Sequence, residues 1–142
     1  MIRVVLDTNI IVSALLQPLG PPAQVFLLGI SGSIQMCVTA NVFAEYEEVI
    51  RRPKFNRAEA EIDGALQSIR ERSVWVRPTE MIRACSDPRD DMFLECANAA
   101  GAAYMVTGNS KHFPETWRGI RVVTCVQLLE VVSTGAPGGP VN

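Results

Sequence analysis

Three acidic residues stand where a carboxylate could bind a metal or take part in catalysis. Asp7 ends the first apolar run in VVLDTNIIV, Glu45 lies in FAEYEEVI, and Asp90 lies in SDPRDDMFLECA. Each acid alone is explained by strand ends, helix caps or solvated helix flanks. Carboxylates about 4 Å apart, however, repel by about 4 kcal/mol per pair at a surface-like dielectric. If the three meet, they therefore predict a bound Mg²⁺ or Mn²⁺.

The predicted elements indicate where these acids point. Asp7 directly follows the first strand, and Glu45 lies at the edge of the apolar arc of its helix when residues are placed about 100° apart. The same construction turns Asp90 toward the sheet and Asp91 about 100° away from it. Asp90 is therefore the preferred third acid, and Asp91 is kept as a further candidate ligand.

Polar residues next to Asp7 and after a later strand complete the candidate site. Thr8 and Asn9 can cap the first helix, which would leave the carboxylate of Asp7 free. Thr107 and Asn109 follow the strand YMVT, where Gly-Asn is also ordinary turn chemistry. We expect these four residues to support the metal site, with Asn109 as a further candidate ligand.

Two groups of basic residues could guide a polyanionic substrate. The first group, Arg51, Arg52 and Lys54, lies in RRPKFNR and could instead be a solvated helix end. The second group is Lys111 with His112. The formal charge of −2 excludes a strongly basic protein that coats nucleic acid, so any such substrate must be met by local cations.

Strands and helices alternate along the chain. The strands are predicted at 2–6, 35–39, 73–76, 104–107 and 121–124, and the helices at 9–16, 22–31, 40–52, 57–72, 89–101 and 125–133. Because the strands are apolar throughout, this order predicts a mainly parallel sheet of about five strands sandwiched by helices. Sites in such folds lie at the carboxyl edge of the strands.

The length of 142 residues predicts one domain, over 1–133, followed by a loose Gly/Pro-rich tail at 134–142. The helix at 22–31 is apolar on nearly every side, which favours either a central core position or a homodimer interface. The four cysteines have no C-x-x-C spacing, so we expect reduced thiols and no zinc site.

Membrane insertion is not expected from the sequence. The uncharged stretch between Asp7 and Glu45 is interrupted by prolines and glycines, and no span of about 20 apolar residues remains. Asp7 would also fall inside the apolar core of any signal peptide. We therefore expect a cytoplasmic protein.

Four blocks in order, VVLDTN, FAEYEEVI, DPRDDMFLECA and VTGNSKHFP, resemble the PIN domain, especially the branch of toxin components of bacterial toxin–antitoxin systems. The resemblance implies a three-layer α/β/α sandwich and a metal-dependent ribonuclease paired with a small antitoxin. It places the family's first three acids on Asp7, Glu45 and Asp90, and a variable neighbour on Asp91. Asn109 stands where many relatives have a further acid; its amide oxygen can bind a cation but brings no charge.

The resemblance thus implies hydrolysis of RNA by water activated on Mg²⁺ or Mn²⁺. Two alternatives stay open. One is a non-catalytic receiver or adaptor domain, in which the acids bind a metal for signalling or structure and Lys111 would follow the fourth strand as the receiver lysine. The other is a phosphatase with an aspartyl nucleophile, although Asn9 stands where such enzymes place a second Asp. Nucleotide-binding glycine motifs are absent from the sequence.

Overall fold

The computed structural model describes residues 1–134; most of the predicted tail, 135–142, lies outside the described residues. The strands are β1 (Arg3–Leu6), β2 (Gln35–Val38), β3 (Val74–Trp75), β4 (Tyr104–Val106), β5 (Thr116–Trp117) and β6 (Ile120–Val123). The helices are α1 (Thr8–Leu16), α2 (Pro21–Ser31), α3 (Ala40–Ile50), α4 (Glu59–Arg72), α5 (Asp91–Ala100) and α6 (Cys125–Thr134). Short 3₁₀ turns lie at Pro53–Phe55, Pro88–Asp90 and Ser110–His112.

The fold is the predicted three-layer α/β/α sandwich, with strand order β3-β2-β1-β4-β6-β5. Every neighbouring pair is parallel except β5 with β6. The sheet has six strands where about five were predicted, because β5 was missed. This two-residue strand reaches β6 through Arg118 and Gly119, whose φ values of 51° and 85° suit a tight hairpin turn.

The ends of the two central strands lie side by side at the carboxyl edge. Leu6 pairs with Val106, and the backbone N–H of Asp7 donates to the carbonyl of Val106 over 2.9 Å. Thr107 continues the ladder by donating its N–H to Val123. Asp7 and Thr107 are therefore the first residues beyond two paired strands that are buried apart from Arg3, and the sheet fixes their backbones.

The helix at 22–31 was predicted to be either core or interface. In the structure α2 packs on α1 and α6 and buries Val25, Phe26 and Gly29, while the Leu27 side chain is 63% exposed. One side of the helix thus belongs to the core, and a homodimer remains a prediction. The four cysteines are free, as predicted.

Within residues 1–134 no single helix has the length and apolar composition needed to cross a membrane. The successive helices α1 and α2 meet that test only when taken together, and they are bent by 105° at the break between them.

Candidate active site

A pocket of about 280 Å³ opens at the carboxyl edge of the sheet. Its walls come from the start of α1, from α3, from the 3₁₀ turn before α5 and from the loop after β4. The lining residues are Asp7, Thr8, Asn9, Glu45, Val49, Arg52, Asp87, Arg89, Asp90, Phe93, Asn109 and His112. The structure therefore brings together the three preferred acids and the amide at the fourth position.

Asp7 is buried at the carboxyl edge of the sheet, with 6% of its surface exposed. The hydroxyl of Thr107, itself fully buried, donates to Asp7 Oδ2 over 2.7 Å and accepts the N–H of Asn109 over 3.0 Å. Burial raises the pKa of Asp7, and the Thr107 hydroxyl and the N–H groups of Asn9 and Thr8 oppose that rise. Thr107 thus orients the carboxylate and partly stabilises its charge.

Asp7 itself occupies the N-cap position of α1, so the prediction that Thr8 or Asn9 caps this helix is wrong. Within residues 1–134 the Asp7 side chain makes no capping hydrogen bond, although the N–H groups of Thr8 and Asn9 lie near enough to stabilise its charge. Thr8 is the first helical residue, and its hydroxyl is buried at the pocket without a hydrogen-bond partner in residues 1–134. An unpaired buried hydroxyl is costly.

Asp90 ends the 3₁₀ turn that precedes α5. Asp87 caps this turn by accepting the N–H of Arg89 over 2.9 Å, and Pro88 occupies its first position. Burial, followed by the negative charges of Asp7 and Asp87, raises the pKa of Asp90 to about 6. Asp7 and Asp90 are thus close enough to repel each other, which is the condition that favours a cation between them.

Glu45 lies on α3 at the edge of its buried arc, as predicted, and is half-buried. The Thr39 hydroxyl caps the helix by accepting the N–H of Val42 over 3.1 Å. The hydroxyl of Tyr46, next to Glu45, donates to the carbonyl of Leu6, the residue before Asp7. The position of Glu45 beside Asp7 is therefore set by a direct bond between α3 and β1.

Asp91 does not reach this pocket. Its Oδ1 accepts the N–H groups of Ala84 and Cys85 over 3.0 and 2.9 Å, and only 7% of its surface is exposed. It lines a separate pocket of about 420 Å³ with Glu95, whose Oε2 accepts the N–H of Ile82 over 3.0 Å. The structure gives no support to the suggested role of Asp91 as a metal ligand, because its carboxylate accepts backbone N–H groups and lines a different pocket.

The predicted basic residues separate into two sets. Arg52 and His112 line the pocket. The other three lie elsewhere: Arg51 binds Glu59 and Asp63 over 2.6 and 3.1 Å, Lys54 lies over the Phe55 ring, and Lys111 lines a different pocket with Glu115. The suggested substrate contacts are therefore supported at this pocket only for Arg52 and His112.

Comparison with family models decides the family. The model of the PIN domain matches residues 3–111, which cover β1 to β4 and every residue discussed for the acidic pocket except His112. The chain belongs to the PIN-domain family. No curated protein sequence matches the chain significantly. PIN domains are generally nucleases, and they generally depend on divalent metals.

Two charged lining residues of this PIN domain, Asp87 and Arg89, were not among the predicted site residues. Asp87 caps the 3₁₀ turn, and its side chain also faces the pocket. The motif SDPRDD contained a usable signal for Asp87, because residues three apart in a 3₁₀ turn share a side, and Asp90 lies three residues after Asp87.

The donors of this PIN domain fit a hard cation. Carboxylate, amide and hydroxyl oxygens line the pocket, and Asp7, Glu45 and Asp90 form no ion pair within 4.0 Å in residues 1–134. In that same part of the chain, no three His, Cys, Asp or Glu side chains are arranged so that they could already hold a metal ion. The oxygen donors that a hard cation prefers are present, but the three carboxylates would have to move closer together to bind it.

Proposed function

We propose that this PIN domain is an Mg²⁺- or Mn²⁺-dependent endoribonuclease that hydrolyses RNA phosphodiester bonds. The observation that carries the proposal is the convergence of Asp7, Glu45 and Asp90 on one pocket, where none of them forms an ion pair within 4.0 Å in the described residues. Such carboxylates repel one another unless a ligand supplies positive charge. The family supplies the reaction class, since PIN domains are generally nucleases.

Asp7, Glu45 and Asp90 would hold the cation, with Asn109 as a neutral oxygen donor at the fourth position. A bound cation would lower the pKa of a water molecule and polarise a phosphate oxygen. Thr107 keeps Oδ2 of Asp7 in one orientation, so that the carboxylate need not be ordered when ligand binds. The burial of Asp7 and Phe93 excludes bulk water from the inner wall.

We also propose that the nuclease acts in the cytoplasm as the toxin of a type II toxin–antitoxin pair, with a small antitoxin as its partner. The support is the resemblance of the four sequence blocks to that branch. An adjacent reading frame for a small DNA-binding protein, together with co-purification of the two tagged products, would test the partnership. A lone gene whose expression leaves growth unchanged would contradict it.

Neither alternative function gains support from the geometry. A receiver domain would need its lysine beside the acids, whereas Lys111 lines a different pocket. A phosphatase would need a second acid where Asn9 stands, and Asn9 is an exposed amide at the rim. A metal-binding adaptor would use the same acids, and the family match favours the nuclease over it.

The decisive experiment compares Asp7→Asn with the parent in Mn²⁺-dependent cleavage of a fluorescent RNA. We expect a loss of about 100-fold or more, since even residues that only orient a metal ligand contribute about 10- to 100-fold. Asp63→Asn is the matched control, because Asp63 is an exposed acid that pairs with Arg51 outside the pocket. Both variants should be purified in parallel to exclude a contaminating nuclease. Equal cleavage by Asp7→Asn would overturn the proposal.

A further inference from the structure

Two arginines at the acidic pocket are held in the same way. Arg52 donates from Nε and Nη2 to Glu48, over 3.1 and 2.8 Å. Arg89 donates from Nε and Nη2 to Asp87, over 3.3 and 2.9 Å. The Nη1 group of each has no hydrogen bond within residues 1–134. Each guanidinium is therefore oriented by a carboxylate while one of its nitrogens stays uncommitted.

Both arginines line the same pocket. The hydrogen-bonded carboxylate of Glu48 raises the pKa of Arg52, and the nearby charge of Arg89 opposes that rise. Because each guanidinium already pairs with a carboxylate, only the uncommitted Nη1 group of each is left for a further anion. A planar guanidinium with free N–H groups is the side chain best suited to a phosphate oxygen.

The net charge of the pocket indicates why a phosphate would need Arg52 and Arg89. Four carboxylates, those of Asp7, Glu45, Asp87 and Asp90, line the pocket against the two guanidiniums. A single divalent cation would bring this lining only to neutrality. Without the arginines the pocket would stay negative even with the cation bound, and it would repel a polyanion.

Resting on the proposed function, we propose that Arg52 and Arg89 form a phosphate-binding subsite. It takes the backbone phosphate next to the scissile one in single-stranded RNA. The arginine side chains are 46% and 88% exposed, so they lie at the rim, outside the buried acids. The chain has no overall positive charge to track a duplex, so a short contact with a flexible strand suits it better.

The test is binding of a fluorescent eight-nucleotide single-stranded RNA to the full chain, measured by polarisation. Ca²⁺ replaces Mn²⁺ to neutralise the acids, and gels check that the RNA stays intact. We expect Arg52→Gln and Arg89→Gln each to weaken binding about fivefold to tenfold. Arg51→Gln is the control, because this neighbouring arginine pairs with Glu59 and Asp63 outside the pocket. It should stay within about twofold of the parent.

Salt dependence tests whether the two arginines share one phosphate. Loss of one phosphate contact should reduce the slope of log K against log salt by about 0.7 for a single strand. We expect the double variant to lose about 0.7 in total, because both guanidiniums meet the same phosphate. Arg89→Lys should retain the slope but weaken affinity, since it keeps the charge and loses the planar fork. Circular dichroism should show every variant folded.

The outcomes separate this subsite from the proposed function. Parent-like binding by the double variant, equal weakening by Arg51→Gln, or no binding of RNA by the parent would each overturn the subsite. If cleavage depends on Asp7 while the arginine variants bind normally, the subsite alone fails. If Asp7→Asn cleaves like the parent while the arginine variants lose binding, the proposed catalytic site fails and the subsite stands.

Discussion

Asp90 and Asp91 are adjacent in sequence, yet their side chains line different pockets at the start of α5. The Asp91 carboxylate accepts two backbone N–H groups from the segment before the helix, and Glu95 accepts a third. Within residues 1–134 Asp90 has no such donors and instead meets the charges of Asp7 and Asp87, which add to the effect of burial in raising its pKa. The hydrogen-bond partners of an acid, more than its position in a motif, therefore separate a structural carboxylate from one available to a ligand.

The largest effect is expected from removing the negative charge of Asp90. Asp90→Asn should reduce Mn²⁺-dependent RNA cleavage by about 100-fold or more, because one of three proposed ligands is lost. Its free energy of unfolding without metal should not fall, since the substitution also removes repulsion from Asp7. Cleavage rates and urea unfolding in EDTA measure the two effects. A variant that loses stability and activity together would assign Asp90 a structural role.

The opposite result, a loss of stability, is expected for Asp91, whose carboxylate accepts backbone N–H groups. Asp91→Ala leaves the N–H groups of Ala84 and Cys85 without their acceptor, and should lower the free energy of unfolding by about 2 kcal/mol. Urea unfolding measures this loss. Asp91→Asn should lose less, because its amide oxygen can still accept both N–H groups. If Asp91→Ala matched the parent in stability, the hydrogen bonds to this segment would not matter.

Stabilisation of the protein by added Mn²⁺ should depend on Asp90 and not on Asp91. At tenfold its Kd, Mn²⁺ should stabilise the parent by about 1.4 kcal/mol, which corresponds to roughly 4 °C in Tm. Asp90→Asn should lose this shift, whereas Asp91→Asn should keep it. Thermal unfolding with and without Mn²⁺ measures the difference. An equal shift in both variants would place the cation away from the acidic pocket.

The sequence predicted the elements that position the acids because apolar periodicity dominates them. Apart from Arg3, the strands before Asp7 and Thr107 are buried on both faces, and the helix of Glu45 has a clear apolar arc. The parallel arrangement then places the carboxyl ends of β1 and β4 together. Local pattern and general topology were enough for Asp7, Glu45 and Asp90, which the structure brings to one pocket.

What the sequence could not predict depends on contacts between distant segments. The helical projection assumed that Asp90 and Asp91 both belong to one regular helix, whereas Asp90 ends a 3₁₀ turn and α5 begins at Asp91. The segment that supplies N–H groups to Asp91 has no periodicity of its own. The hydrogen bond from Thr107 to Asp7 spans 100 residues. The strand β5 is too short to show a pattern.

The smallest expected effect is on the pH dependence of stability without metal. The pKa of Asp90 is about 6 in the folded protein, against 3.8 for the ordinary group. Below both values the carboxyl is protonated in both states and contributes nothing. As pH rises from about 4 to 6, the unfolded state releases this proton first, so the parent loses stability relative to Asp90→Asn. Above this window the difference stays constant.

Unfolding of the parent and Asp90→Asn in EDTA, from pH 4 to pH 7, measures that difference. Subtracting the two curves removes groups that titrate alike in both proteins, which matters because Asp7 also has a raised pKa. The effect should be small, since Asp90 remains half-exposed and water screens its charge. Asp63→Asn, measured in the same way, is the remote control. A parent that gains stability relative to Asp90→Asn as pH rises would mean that Asp90 meets net positive charge, and the comparison with Asp91 would then lose its electrostatic basis.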